Sequence, residues 1–66
     1  MVFIVIHRDV FDSRTDIEGI FKDYTSAINF IENEFGLDGF VVDLTEPIRT
    51  WVKNSEYVYI ESHEVI

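Results

Sequence analysis

The sequence predicts a small α+β domain in which one helix covers one face of an antiparallel sheet of four or five short strands. Three observations predict it. Runs of β-branched and aromatic residues stand near both ends, one helical stripe lies between them, and polar turn residues separate the runs. The expected order is β-β-α-β-β-β, within a single domain spanning 1–66.

Residues 2–11 (Val-Phe-Ile-Val-Ile-His-Arg-Asp-Val-Phe) open the chain. Five β-formers in succession read as a strand covered on both faces at its start, with a more exposed end from His7. Asp12 to Asp16 reads as a polar turn. Ile17 to Lys22 reads as a second strand, paired to the first as a hairpin, with Gly19 permitting a bulge or close packing. Tyr24, Ala27, Ile28, Ile31 and Phe35 recur at 3.6-residue spacing and predict a helix over 24–35, with Phe30 widening the stripe. Asp23 is the expected N-cap, Thr25 the alternative, and Gly36 the expected left-handed cap.

Leu37-Asp38-Gly39 reads as a turn, and 40–44 as a short strand with Phe40, Val42 and Leu44 on one face. Pro47 breaks it, because proline has no N–H to donate. Residues 48–53 and 56–65 read as two strands around an Asn54-Ser55 turn. Tyr57, Tyr59, Glu61, His63 and Val65 then share one face of the last strand. A helix of that length reaches about 18 Å and cannot cover both faces of such a sheet. The uncovered face is expected to carry several of Phe3, Val5, Trp51, Tyr57 and Tyr59, depending on the register of the sheet. A homodimer, with Trp51, Tyr57 and Tyr59 as its interface, is the simplest way to cover it.

A chain of 66 residues buries only about 60% of the surface its unfolded form exposes. It has no Cys, so disulfides and thiolate metal sites are excluded. Six Phe, three Tyr and one Trp instead supply a dense core, a sticky surface, or both. The start of the chain has neither the basic region nor the small-residue cleavage site of a signal peptide, and no apolar run spans a membrane, so a cytoplasmic protein is expected.

No phosphate-binding glycine loop or nucleophile elbow is present, so neither an enzyme nor a cofactor is expected. Asp12, Arg14 and Asp16 superficially resemble a calcium loop, without its sixth-position Gly or twelfth-position Glu. His7 and His63 would become neighbours if the first and last strands pair, with Glu61 or Asp9 close by. The expectation for both is an ordinary strand-end histidine, with no metal bound.

Charge is the most informative feature. Thirteen acidic and five basic side chains give a net charge of −8. Direct binding of nucleic acid or anionic membrane is disfavoured, because phosphate recognition needs Lys and Arg. Between Asp23 and Ile48 there is no Lys or Arg, while Asp23, Glu32, Glu34, Asp38, Asp43 and Glu46 all lie there. Like charges concentrated in this way oppose compaction, and soluble surfaces ordinarily mix both signs. Carboxylates two apart on a strand lie about 6.6 Å apart, and duplex DNA carries one charge per about 1.7 Å of axis. A rigid fold can therefore offer carboxylates at phosphate-like spacings. The expected function is DNA mimicry, with those six acids contacting a basic DNA-binding protein. The alternative is a regulatory module that binds a protein through its aromatic sheet face, its acidity serving solubility only.

The strand running into His7, the Gly19-Ile20-Phe21-Lys22-Asp23 stretch, the helix with Ala27, Ile28 and Ile31, and the closing strand Tyr57–Glu61 resemble a loosely defined group of short phage and bacterial proteins. Phe40–Lys53 departs from that group's pattern. In size, acidity and lack of a catalytic motif, the chain also resembles the host-takeover proteins of large lytic bacteriophages. That resemblance implies inhibition of a host DNA-binding or transcription protein. Candidate targets are a histone-like nucleoid protein, an RNA polymerase subunit, a restriction enzyme or a CRISPR effector. A dimeric, basic, nucleoid-associated protein is favoured.

Overall fold

The computed structural model describes residues 1–43, 45 and 48–65. The elements are β1 (Val2–Asp9), β2 (Arg14–Phe21), α1 (Tyr24–Glu34), a 3-10 turn (Gly36–Asp38), β3 (Val41–Asp43), β4 (Thr50–Lys53) and β5 (Glu56–His63). The strands form one sheet in the order β2-β1-β5-β4-β3, with every neighbouring pair antiparallel. This is the expected β-β-α-β-β-β architecture. The expectations for Leu44, Glu46 and Pro47 fall outside the described residues.

The two most apolar runs, β1 and β5, pair with each other inside the sheet, where both edges of a strand are hydrogen-bonded to neighbours. β1 ends at Asp9, two residues earlier than its composition predicts. The Asp9 carboxylate turns the chain by accepting from the backbone N–H of Phe11 at 3.0 Å and of Asp12 at 3.3 Å. β2 starts at Arg14 rather than Ile17, because Asp9↔Arg14, Arg8↔Thr15 and His7↔Asp16 extend the ladder into residues that read locally as a turn. A register shift opposite Val5 and Ile6 leaves Glu18 as the extra residue of a bulge. Gly19 sits there because a Cβ would stand 2.8 Å from the Phe21 ring.

The helix starts where expected. Asp23 is extended (φ −134°, ψ 156°), and its Oδ1 accepts from the Ser26 N–H at 2.8 Å. The helix does not end in a left-handed Gly36. Instead the Phe35 N–H donates to the Ile31 carbonyl at 2.8 Å, a 3-10 turn follows, and Gly39 takes the positive φ of 90°.

Ala27, Ile28 and Ile31 pack from α1 onto Val5, Val58, Ile60, Trp51 and Phe40, with Phe3, Phe21, Phe30 and Phe35 around the margin. Phe21–Phe30 and Phe35–Phe40 meet at ring separations of 5.2 and 5.3 Å. Each fully buried aliphatic side chain in this core contributes about 1.5–3 kcal/mol. One helix covers one side of the sheet only, as its length requires. Register decides which of the five candidates lie on the open side. The registers Phe3↔Ser62, Val5↔Ile60 and Trp51↔Val58 put Phe3, Val5 and Trp51 beneath the helix. The alternating positions Tyr57 and Tyr59 take the other side.

Candidate functional site

Strand alternation and register together assign each charged side chain to a side of the sheet. On the helix side, Lys53, Glu56, Asp9 and Arg14 stand in one row across β4, β5, β1 and β2. The next row brings Val58, His7 and Asp16 together. Lys53 is confirmed on this side by its ammonium, 5.6 Å from the centre of the Phe40 ring.

His7 is the hub of this end. Its Nδ1 lies 3.3 Å from Glu18 Oε1 and its Nε2 lies 2.9 Å from Glu56 Oε1. Its ring packs edge-on against Phe35 at 5.4 Å and Phe40 at 6.1 Å. Both ring nitrogens therefore face a carboxylate. The hollow around it, about 200 Å³, is lined by His7, Asp9, Arg14, Asp16, Glu18 and Glu56. Arg14 reaches Asp16 at 3.2 Å. Asp12, Arg14 and Asp16 form no calcium loop, because β2 is already extended from Arg14. His63 is not part of the cluster. β1 and β5 do pair, but antiparallel, so His7 faces Val58 and His63 faces Val2. His63 instead meets Glu61 at 2.7 Å on the open side. Among the described residues, no group of three His, Asp or Glu side chains is arranged to hold a metal ion.

The expected partner-binding acids divide. Asp23, Glu32, Glu34 and Asp38 belong to the helix layer and are exposed. Glu32 and Glu34 lie about 200° apart around the helix, so they leave from its two flanks rather than from one line. Asp43 lies apart from these four. It pairs with Thr50, which pairs with Tyr59, and that row lies on the open side. Glu46 lies outside the described residues. Asp9, Asp16, Glu18 and Glu56 join the helix layer instead. The sequence shows them as acids, but strand pairing and the bulge at Gly19 are what gather them.

The helix layer therefore holds Asp9, Asp16, Glu18, Asp23, Glu32, Glu34, Asp38 and Glu56 against Arg14, Lys53 and Lys22, which precedes Asp23 in the β2–α1 connection. The open side of the strands holds Asp43, Glu61, Arg8 and His63. Asp12, Arg49 and Glu64 lie in connections and the C-terminal tail. The negative charge is thus strongly partitioned between the two faces.

Two carboxyls are held below the ordinary value of 3.8. Asp23 is lowered by the Ser26 backbone N–H and then by the Ser26 hydroxyl. Asp43 is lowered by the Thr45 hydroxyl and then by the Thr45 N–H. Both remain anionic far below neutral pH.

The open side is apolar and charge-poor. Ile6 and Thr50 are buried within it, Val52, Tyr57 and Tyr59 are half-buried, and Ile17, Ile20 and Val41 are exposed. A shallow hollow of about 420 Å³ there is lined by Arg8, Val10, Thr50, Tyr57 and Tyr59. Of the three aromatics expected on an interface, Tyr57 and Tyr59 are present. Trp51 is not, being 2% exposed beneath the helix. Among the described residues, no helix is long and apolar enough to cross a membrane. Comparison with protein-family models, curated proteins and solved structures finds no match to this chain.

Proposed function

We propose that this protein is a non-catalytic inhibitor of the bacteriophage host-takeover type, acting as a DNA mimic in the host cytoplasm. It presents its helix side to the nucleic-acid groove of a basic host DNA-binding protein and excludes DNA from it. A histone-like nucleoid-associated protein is the favoured target. One observation carries this reading: eight carboxylates stand against three bases, Arg14, Lys22 and Lys53, in the helix layer. A surface so one-sided attracts a basic partner over a Debye length, about 8 Å at physiological salt. Half-buried Phe30 and Phe35 beside the acids offer the apolar contacts that charge alone does not supply.

The test is capture of partners from bacterial lysate, followed by competition against duplex DNA. The expected result is a basic DNA-binding protein that elutes with salt and that releases DNA when this protein is added. Captured proteins with no affinity for nucleic acid, or a complex that binds DNA undiminished, would count against the reading.

A second reading rests on Tyr57 and Tyr59. Their open face would bind a protein partner, with acidity serving solubility only. Affinity would then change little between low and high salt, whereas mimicry weakens steeply.

A further inference from the structure

The strands carry three bases, and two of them are engaged within the fold. Arg14 pairs with Asp16 at 3.2 Å, and the Lys53 ammonium lies 5.6 Å from the centre of the Phe40 ring. Arg8, exposed on the open side, makes no ion pair with any described residue. The hollow beside it is lined by Arg8, Val10, Thr50, Tyr57 and Tyr59, none of them an acid. On the open side of the strands the acids are Glu61 and Asp43. Glu61 pairs with Ile4, four residues and about 13 Å along β1 from Arg8. Asp43 stands three strands away, at least about 14 Å across the sheet. Both exceed the Debye length of about 8 Å at physiological salt. The nearer acids leave from the helix side and are committed there: Asp9 to the Phe11 and Asp12 N–H groups, Asp16 to Arg14, and Glu56 to His7. On a chain of net charge −8, Arg8 therefore marks a local positive spot.

The two phenols beside it are also unpaired. Phe3, Phe21, Phe30, Phe35, Phe40 and Tyr24 each meet another aromatic ring, whereas half-buried Tyr57 and Tyr59 meet none among the described residues. Alternate residues of a strand stand about 6.6 Å apart, close to twice the roughly 3.5 Å between carbon atoms in contact. A flat ring placed between the two phenols can touch both.

We infer that this hollow is a binding site for a small aromatic carboxylate, its ring between Tyr57 and Tyr59 and its carboxylate on the Arg8 guanidinium. The planar fork of arginine matches a carboxylate in a bidentate pair. One guanidinium, with no second base lining the hollow, suits a single negative charge. An aliphatic anion leaves the rings unused, and a neutral ring leaves the guanidinium unpaired. The hollow measures about 420 Å³, within the roughly 300–1,000 Å³ of small-molecule sites. It lies across the sheet from the acidic layer, so it does not depend on that layer binding a basic partner.

The test is an NMR titration of the isotope-labelled protein with phenylacetate, phenylacetamide and acetate. Phenylacetate should shift Arg8, Thr50, Tyr57 and Tyr59 and saturate with a dissociation constant on the order of a millimolar, as suits a ligand of about ten heavy atoms. Phenylacetamide lacks the charge and acetate lacks the ring, and each should bind at least about fivefold more weakly. Arg8→Gln should weaken phenylacetate at least about fivefold and leave phenylacetamide unchanged, a difference that general loss of structure would not produce. Tyr59→Leu should weaken both ring compounds alike. Shifts that spread beyond the hollow without saturating, equal affinity for phenylacetate and phenylacetamide, or Arg8→Gln binding phenylacetate like the parent would overturn the proposal.

Discussion

Ile31 and Ile20 carry the same side chain on opposite sides of the sheet, and truncating each to alanine separates the two faces energetically. Ile31 is 0% exposed at the centre of the helix stripe, packed in the cluster with Val5, Val58, Ile60 and Trp51. Ile20 is 62% exposed on the open side. Ile31→Ala removes buried methylenes and leaves a cavity, at a cost of 2–5 kcal/mol in comparable cores, so about 3 kcal/mol is expected here. A 66-residue domain has roughly 3–10 kcal/mol in all, so the variant sits near its unfolding threshold. Its melting temperature should fall by roughly 12–24 °C. Ile20→Ala, measured at high dilution, should cost less than about 0.5 kcal/mol. Urea titration monitored by the fluorescence of Trp51, the one tryptophan in the chain and itself in the core, reads both. The urea slope should stay constant while the midpoint moves. Equal costs for the two substitutions, or an Ile31→Ala cost below about 1 kcal/mol, would refute the assignment of faces.

Three further outcomes are expected. Asp23→Ala should lower the melting temperature at neutral pH by removing the helix cap, with the difference from the parent vanishing in acid. The sign follows from the lowered carboxyl: its contribution is complete above 3.8 and is lost as pH falls through the lower folded value. Melting curves on both proteins between neutral and strongly acidic pH test this. Gly39→Ala places a Cβ at φ 90° and should cost about 1 kcal/mol, read by urea denaturation. Raising salt should weaken the partner complex, which titrations of the captured partner at low and high salt will show.

Much of the fold is legible in the sequence because its signals are local. The helix from Tyr24, the Asp23 cap, the bulge at Gly19 and the Asn54-Ser55 turn each depend on neighbours within a few residues. What is not legible depends on pairing. Arg14, Thr15 and Asp16 read as turn residues until β1 supplies their ladder partners. Trp51 reads as an interface residue until its register opposite Val58 puts it under the helix. The helix end is misplaced because a 3-10 turn over Gly36–Asp38 continues the chain from Phe35 and carries the left-handed residue on to Gly39. The candidate site follows the same division. Glu32, Glu34 and Asp38 stand out in a base-free window, but Glu18 and Glu56 meet only through His7, which no spacing predicts. Asp43 belongs to the same window and to the opposite face.

The central claim is that the helix side, and not the acidity as a whole, recognises the basic partner. The measurement is the affinity of the captured DNA-binding protein for two charge-reversed variants. One carries Glu32→Lys, Glu34→Lys and Asp38→Lys on the helix side; the other carries Asp43→Lys and Glu61→Lys on the open side. The account predicts that the first loses binding by a hundredfold or more at low salt, beyond what its one additional charge reversal explains, while the second stays within a fewfold of the parent. Equal loss in both variants, or greater loss in the second, would contradict it.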